Sequence, residues 1–222
     1  MPISFATKSH RATHTLLLFA MLGASSAHAA PMGFKDSWML MTDFSPNWRE
    51  AAVNYAVTGR DALGASVLDM KSDDKRLERR TVEATYTRRL ARWNLPDAQA
   101  NIWLLAGVGG VRGNDFAGTK TLFSPGVQMD YETTRVYLAA TTRLYRAPGL
   151  NHDFNSLRAG FSFYEAGFDE TQPWFVLEAR RMRGLSAKVE ITPLLRLINK
   201  SYFVDIGVNN FKQARLNFMY TY

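Results

Sequence analysis

Behind its amino-terminal segment, the chain alternates apolar and polar side chains with a period close to two. In the last segment, Leu216, Phe218 and Tyr220 share one face, while Arg215 and Asn217 share the other. A strand sends successive side chains to opposite faces, whereas a helix repeats its pattern about every 3.6 residues. The pattern therefore predicts an all-β chain whose strands each have one apolar and one polar face.

Turn-forming residues divide this region into about twelve strands. SPN at residue 45, TGRD at 58, GNDFAG at 113 and APG at 147 are typical of turns. Several of the intervening segments have the length that a tilted crossing of a bilayer needs. Twelve strands is the primary prediction and ten is the alternative. The expected strands are residues 37–44, 48–57, 62–70, 79–92, 99–112, 122–131, 134–146, 154–165, 172–182, 185–196, 200–208 and 211–222.

The first thirty residues have the layout of an export signal. A basic start precedes an apolar run, Thr15–Ala24, and small residues in an A-x-A arrangement end at Ala29. The run is too short for a transmembrane helix, which needs about twenty apolar residues. We expect residues 1–30 to be a signal peptide cleaved near Ala29 or Ala30, which leaves 31–222 as a single domain.

Alternation alone does not separate a membrane barrel from a soluble one. A soluble barrel of the lipocalin type also alternates, but its apolar face points inward. About eight strands can be packed shut by side chains, and twelve enclose more volume than that. A membrane barrel instead turns its apolar face to lipid and keeps a polar interior. We therefore predict an antiparallel up-and-down transmembrane β-barrel, with a soluble periplasmic lipocalin-like barrel as the alternative.

Loop lengths are predicted to differ between the two ends of the barrel. Outer-membrane barrels have long connections outside and short ones in the periplasm. Short inside connections include residues 58–61, although the one near 166–171 is longer than this rule allows. The expected outside connections are residues 71–78, 113–121 and 147–153.

Aromatic residues cluster near the predicted strand ends. Amphipathic rings at the headgroup level form the two girdles of a membrane barrel. The alternative explanation is the general preference of aromatic residues for strands. The residues concerned are Trp38, Trp48, Trp93, Tyr131, Trp174, Tyr202 and Tyr222.

The last strand carries a further signature. Leu216, Phe218, Tyr220 and Tyr222 alternate along it, and the final residue is aromatic. Together with the export signal and the absence of cysteine, this strand resembles those of bacterial outer-membrane β-barrel proteins as a class. The resemblance implies the outer membrane of a Gram-negative bacterium and recognition of these four residues by the barrel-insertion machinery. Outer-membrane lipids and lipopolysaccharide are the other expected partners.

The charged residues define the predicted lumen. The net charge is +7, but its Lys and Arg residues are scattered, so we expect no nucleic-acid partner. The inward charges either line an aqueous path, with an arginine excess that favours anions, or pair across the lumen and close it. The expected lumen residues are Arg135, Arg143, Arg158, Glu178, Arg180, Lys188, Glu190, Asp205 and Arg215.

Few residues suggest catalytic or metal chemistry. His152 is the one histidine behind the predicted signal peptide, and its neighbours Asn151 and Asp153 are too close in sequence for a typical triad. Two ligands in one loop are also too few for a metal site. The glycine run 107–114 lacks the Lys-Ser/Thr and the helix of a phosphate loop. Three methionines could bind Cu(I), but methionine in a strand is more often apolar filler. They are Met32, Met39 and Met41.

The sequence therefore predicts no catalytic, cofactor-binding or metal-binding residue, and no cofactor. A narrow channel or passive transporter for small solutes is the leading functional hypothesis. One alternative is a structural or interaction barrel that presents extracellular loops. Another is an outer-membrane lipid-modifying enzyme or a copper export or resistance protein, although the chain favours a non-enzymatic function.

Overall fold

The computed structural model describes residues 30–167 and 169–222, and the predicted signal peptide, residues 1–29, lies outside this part. Within the described residues, no helix is long and apolar enough to cross a bilayer. The chain forms thirteen strands. They are β1 (Trp38–Phe44), β2 (Trp48–Ala56), β3 (Asp61–Lys71), β4 (Glu78–Asn94), β5 (Ala98–Gly113), β6 (Lys120–Phe123), β7 (Gly126–Thr133), β8 (Val136–Ala147), β9 (Leu150–Ser162), β10 (Gln172–Arg183), β11 (Val189–Asn199), β12 (Tyr202–Val208) and β13 (Ala214–Thr221).

These strands close into a single antiparallel barrel. Apart from β6 and β7, which do not pair with each other, each strand pairs with its neighbours in sequence, and β13 returns to pair with β1, from Met39↔Thr221 to Phe44↔Leu216. The short strands β6 and β7 both lie between β5 and β8, so they share one position. The barrel therefore has twelve strand positions, which confirms the predicted all-β, antiparallel, twelve-stranded up-and-down fold.

The sixth position contains a break that the alternation does not reveal. The sequence predicts one strand over residues 122–131, whereas β6 ends at Phe123 and β7 begins at Gly126. Between them, Pro125 has no N–H to donate to the ladder, although its carbonyl still accepts from Leu144 N at 2.8 Å. The break leaves Ser124 fully buried, with its side chain in the lumen.

The two faces of the barrel differ in polarity. Large apolar side chains point outward from strands all around the ring, among them Leu63 on β3 and Leu157 on β9, which are 56% and 63% exposed. The residues that alternate with them point inward and are frequently polar or charged, as Ser156 and Arg158 do beside Leu157. This polarity is the reverse of that in a lipocalin-type barrel, whose apolar face points inward.

The start of β1 and the end of β13 lie at one end of the barrel, here called the terminal end, and the opposite end is the loop end. The connections at the loop end are short, and residues 148–149 form only a two-residue turn. The longest connection between described strands, residues 163–171, lies instead at the terminal end. The predicted long loop at 147–153 is wrong because the β8–β9 ladder continues to the Ala147↔Leu150 pair.

Aromatic residues form a girdle at the terminal end. Five of the seven predicted girdle residues lie there with exposed side chains, whereas Trp48 and Trp174 are only 2% exposed and pack inside the barrel. Strand alternation turns these two rings inward, so the prediction is wrong for them. The exposed residues are Trp38, Trp93, Tyr131, Tyr202 and Tyr222.

The residues before β1 fold into the terminal end. Asn54 Nδ2 donates to Pro31 O at 3.0 Å, and Asp36 N donates to Ala56 O at 2.8 Å. Met32 is 4% exposed and packs with Ala56 of β2, Ala62 of β3 and Trp103 of β5. Residues 30–37, here called the N-terminal segment, therefore narrow this mouth of the lumen.

Candidate functional site: the barrel lumen

Seven of the nine residues predicted for the lumen lie together inside the barrel. The other two are exposed at strand connections. Arg135 is in the β7–β8 turn, where its guanidinium donates to the carbonyls of Ser162 and Phe163. Lys188 precedes β11, with its Nζ 4.8 Å from the centre of the Phe211 ring. Neither residue lies inside a strand, so alternation does not turn it inward. The seven inner residues are Arg143, Arg158, Glu178, Arg180, Glu190, Asp205 and Arg215.

Glu178 on β10 is the centre of the largest group of ion pairs. Its Oε1 accepts from Arg158 Nε at 2.9 Å and from Ser156 Oγ at 2.8 Å. Its Oε2 accepts from Arg215 Nη2 at 2.9 Å, and Arg215 also pairs with Asp43. The Glu178 carboxylate, which has no exposed surface, thus joins β9, β10 and β13 across the lumen wall.

Two further arginines extend this network. Arg180 donates to Glu190 at 2.8 Å and reaches across to Ser45 Oγ at 2.9 Å. Arg196 forms a two-point pair with Asp205, at 2.8 and 3.2 Å. Planar guanidinium groups suit such bidentate contacts with carboxylates. The sequence prediction omitted Asp43, Glu50, Glu83 and Arg196, although they lie on the polar faces of their strands and the same alternation would have identified them.

A second group of ion pairs, centred on Arg143, spans the lumen. Arg143 Nη2 on β8 donates to Glu83 Oε2 at 2.8 Å and to Ser124 Oγ at 3.0 Å, and its Nη1 lies 3.5 Å from Glu50 Oε1. Since β8 and β2 are five positions apart in the ring of twelve, the Arg143–Glu50 pair bridges nearly opposite walls. A Cβ atom at Gly107 would collide with Glu83, Ser124 and Arg143, so only glycine leaves room for this group.

Within the ion-paired groups the charges are balanced, so these groups supply no excess of arginine for anion selection. Among the described residues, the two groups together contain five arginines and six carboxylates, and each of these residues takes part in an ion pair. The anion-selective interpretation required an excess of arginine. The arginines are Arg143, Arg158, Arg180, Arg196 and Arg215, and the carboxylates are Asp43, Glu50, Glu83, Glu178, Glu190 and Asp205.

An apolar cluster fills the lumen at the loop end. Its members come from seven strand positions and one connection, and each is at most 6% exposed. Such packing leaves no room for a continuous column of water. The cluster consists of Trp48, Leu68, Met70, Val111, Leu122, Tyr145, Leu150, Met182 and Leu185, with Phe116, Ala147 and Phe154 against it.

Hydrogen bonds between connections hold this end together. Asp73 in the β3–β4 loop accepts from Asn47 Nδ2 at 3.0 Å and from Ser186 Oγ at 2.8 Å, and Asp73 N donates to Leu185 O at 3.3 Å. The β3–β4 and β10–β11 connections are on opposite sides of the ring, so this bridge spans the mouth. Gly184, at φ +91°, turns the chain just before Leu185 enters the apolar cluster. The bridge and the cluster together are called the loop-end seal.

Below the seal, the lumen contains two cavities. A central cavity of about 250 Å³ is lined by apolar residues such as Trp48 and Phe154 together with polar and charged ones, including Asp43, Glu50 and Arg143. A second cavity, of about 580 Å³, lies at the terminal end beside the N-terminal segment. The two share Ala30, Phe203 and Met219 in their linings, so these residues mark the boundary between the mouth and the centre.

His152 and its neighbours do not converge on a common site. His152 faces inward and contacts the Arg79 guanidinium, while Asp153 pairs with both Arg146 and Arg183 at 2.5 Å. Asn151 Oδ1 accepts from Arg183 Nη2 at 3.3 Å. In the described part of the chain, no group of three or more His, Asp or Glu side chains could hold a metal ion. Of the three methionines, Met32 and Met39 are buried and Met41 lines the central cavity.

Comparison with known proteins gives structural likenesses alone. No protein-family model matches the chain, and no curated protein matches it. The solved structures similar to it include the KdgM porin, at 12% identity and a TM-score of 0.47, with 84% of this chain and 98% of that chain covered. A structure of the KdgM porin in complex with disordered oligogalacturonate has 13% identity, a TM-score of 0.45 and the same coverage. An OmpT loop-deletion mutant, an outer-membrane protein of Vibrio cholerae, has 9% identity and a TM-score of 0.29, with 84% of this chain and 98% of that chain covered.

Proposed function

We propose that this chain is an integral outer-membrane β-barrel that forms a narrow and normally closed passage for small polar solutes. The observation that carries this proposal is a lumen that contains buried ion pairs and two adjoining cavities and ends at the loop-end seal. Solutes would enter from the terminal end, past the N-terminal segment. Passage would require the seal to separate, since an apolar constriction excludes water and ions while it is packed.

The outer surface supports the membrane assignment. Exposed apolar side chains surround the strands, and the aromatic girdle lies at one end of this surface. The lipid-facing belt of an outer-membrane barrel has this composition. The proposed signal peptide accounts for export, and Leu216, Phe218, Tyr220 and Tyr222 supply the proposed assembly signal.

The location is tested by fractionation of cells that express the full chain. The protein should appear with outer membranes and migrate differently on gels when boiled and unboiled, because a closed barrel resists detergent until heated. Release into the soluble periplasmic fraction by osmotic shock would refute the membrane assignment.

Planar-bilayer recordings test the passage. We expect the unaltered barrel to be closed for most of the recording, with rare discrete current steps. The double variant Asp73→Ala, Leu185→Ser removes two acceptor bonds of the bridge and one apolar side chain of the cluster, so its open fraction should rise at least tenfold. A wide, constantly open pore in the unaltered protein would refute the seal.

Asp74→Ala, Leu63→Ser is the matched control. Asp74 accepts hydrogen bonds from Ser72 Oγ and Arg76 N within its own loop, and Leu63 points outward from the barrel. The bond from Ser72 lowers the pKa of Asp74, so this control also removes a charge at neutral pH. Its open fraction should equal that of the unaltered protein. If the folded seal variant shows no steps across a range of salts, the passage hypothesis is wrong.

A rigid structural barrel is the second candidate function. The ion pairs across the lumen, such as Arg143–Glu50 and Arg215–Glu178, favour it because they tie distant walls together. The same recordings discriminate the two candidates, since a structural barrel remains silent when its seal is loosened. The short loop-end connections give little surface for the presentation of loops.

A further inference from the structure

The terminal-end cavity, beside the N-terminal segment, has a basic lining. Among the described residues that line it, none is Asp or Glu, and four are basic: Lys35, Arg89, Arg92 and Lys200. Lys35 lies 3.4 Å from Asp36 at the mouth. Lys200 pairs with Asp169 at 2.6 Å. The excess of positive charge at this mouth therefore comes from the two arginines.

The two arginines form no ion pair with any described residue. Arg92 donates hydrogen bonds to the neutral side-chain oxygens of Asn94 and Gln99. Arg89 has an aromatic ring as its side-chain neighbour, at 5.8 Å from its guanidinium carbon. The residues outside the described part of the chain contain no Asp or Glu. No carboxylate of this chain therefore neutralises either arginine through an ion pair.

A β-bulge in β4 places both arginines on the inner face of the barrel. Residues three apart in a regular strand point to opposite faces. Arg89 lies opposite Trp103 of β5, and Leu90 is the extra residue without a partner in the register. Arg92 then lies opposite Asn101, which is two residues from Trp103 on β5. The two arginines therefore occupy successive inward positions, roughly 7 Å apart along the strand, and bulges next to functional sites re-aim side chains in this way.

The carboxylate of Asp130, on the neighbouring strand β7, is occupied by neutral donors. It accepts from Asn101 Nδ2 and from Trp103 Nε1 at 2.6 Å each, and it is only 9% exposed. By contrast, Arg89 is half-buried and Arg92 is exposed, and both line the cavity. A solute in the cavity can therefore reach the two arginines, while Asp130 stays covered.

We propose that the terminal-end cavity binds a small phosphomonoester, whose phosphate group bridges Arg89 and Arg92. A phosphomonoester carries close to two negative charges at neutral pH, so one group matches both guanidinium groups. Guanidinium groups bind phosphate oxygens through two parallel hydrogen bonds, whereas a carboxylate would supply only one charge. The volume of about 580 Å³ lies within the range of small-molecule sites. This inference rests on the proposed function, for which it names a class of solute.

Glucose 6-phosphate is the probe, with gluconate and glucose as its singly charged and uncharged counterparts. Binding is measured by saturation-transfer NMR on the full mature barrel in micelles of an uncharged detergent. Glucose 6-phosphate should bind saturably, gluconate at least tenfold more weakly, and glucose without saturation. Absence of saturable binding by glucose 6-phosphate, or equal binding of either counterpart, overturns the proposal, and this comparison needs no variant.

Two substitutions then locate the site. Arg89→Gln and Arg92→Gln each remove one of the two charges and should weaken the binding of glucose 6-phosphate at least tenfold. Arg88→Gln is the matched control, because Arg88 is the adjacent residue on the outer face of β4, where it lies 3.2 Å from Asp61. It removes the same charge and should leave binding unchanged. Heat-dependent migration on gels confirms that each variant is folded, and equal weakening by all three overturns the assignment to this cavity.

Phosphatidate presents the same phosphomonoester on a lipid, so short-chain dihexanoyl phosphatidate is the lipid arm of the experiment. Glucose 6-phosphate should bind at least as tightly as this lipid, because the arginines face the lumen. Saturable binding of phosphatidate without binding of glucose 6-phosphate would assign the site to a lipid headgroup and overturn the proposed solute.

Binding and conduction fail independently. Binding of glucose 6-phosphate by a barrel whose seal variant stays silent would refute the passage but leave the phosphate site in place. Conduction through the seal variant without binding of glucose 6-phosphate would refute the phosphate site but leave the passage in place.

Discussion

Removal of the Glu178 charge should destabilise the barrel strongly. This carboxylate is fully buried and accepts from Arg158 and Arg215 at 2.9 Å each and from Ser156 at 2.8 Å. Glu178→Gln keeps the shape of the side chain but leaves two arginines in the closed lumen with a neutral partner. Loss of one member of an isolated buried ion pair costs about 3–5 kcal/mol. Because Arg215 keeps its pair with Asp43 and Arg158 lies 3.8 Å from Asp205, we expect a loss at the lower end of this range in the free energy of unfolding.

Urea titration of the folded barrel in micelles, followed by far-UV circular dichroism, measures this loss. Glu78→Gln is the matched control, because Glu78 pairs with Lys71 at 2.7 Å and the two side chains are 51% and 36% exposed. An exposed pair contributes about 0–1 kcal/mol, so the control should change stability little. If Glu178→Gln costs no more than Glu78→Gln, the ion pairs of Glu178 do not stabilise the folded barrel.

Three further predictions concern the outer belt, the mouth and assembly. Leu157→Arg places a charge on the outer face of β9 and should cost about 2–4 kcal/mol if it faces the bilayer midplane; refolding into vesicles measures this, and refolding at the normal yield would contradict the membrane-facing assignment. Met32→Ala removes the packing of the N-terminal segment on Trp103, so a protease should cut this segment at least tenfold faster, and an equal rate would show that Met32 does not anchor it. Tyr222→Ala should slow the appearance of the heat-modifiable band in cells, and an unchanged rate would remove Tyr222 from the proposed assembly signal.

The local pattern of the sequence was sufficient for the strands but not for the contacts between them. The alternation of Ser156, Leu157 and Arg158 gives the inner and outer faces of β9 correctly, because strand geometry fixes this period. The break at Pro125 was missed because the residues on either side continue the alternation.

For the aromatic residues, a position near a strand end was not a sufficient criterion for the girdle. Trp38 and Trp48 both lie near strand ends and look equivalent in the sequence, yet one is 43% exposed and the other 2%. The face that a ring takes follows from the alternation along its strand, and Trp48 lies two residues from Glu50 on the inward face of β2. A prediction from strand ends alone therefore assigns too many rings to the girdle.

The closed lumen is the feature that the sequence alone left open. The sequence presented the charged residues as either the lining of a path or partners across the lumen. The structure pairs Glu178 with Arg158 and Arg215 and brings Asp73 to Ser186 across the loop end.

The period-two pattern by itself determined an all-β barrel with one apolar and one polar face, since side-chain direction along a strand is a local property. Only the tertiary structure decided whether the barrel is open. Closure depends on side chains more than a hundred residues apart in sequence, such as Asp73 and Ser186, that meet once the β13–β1 ladder has formed.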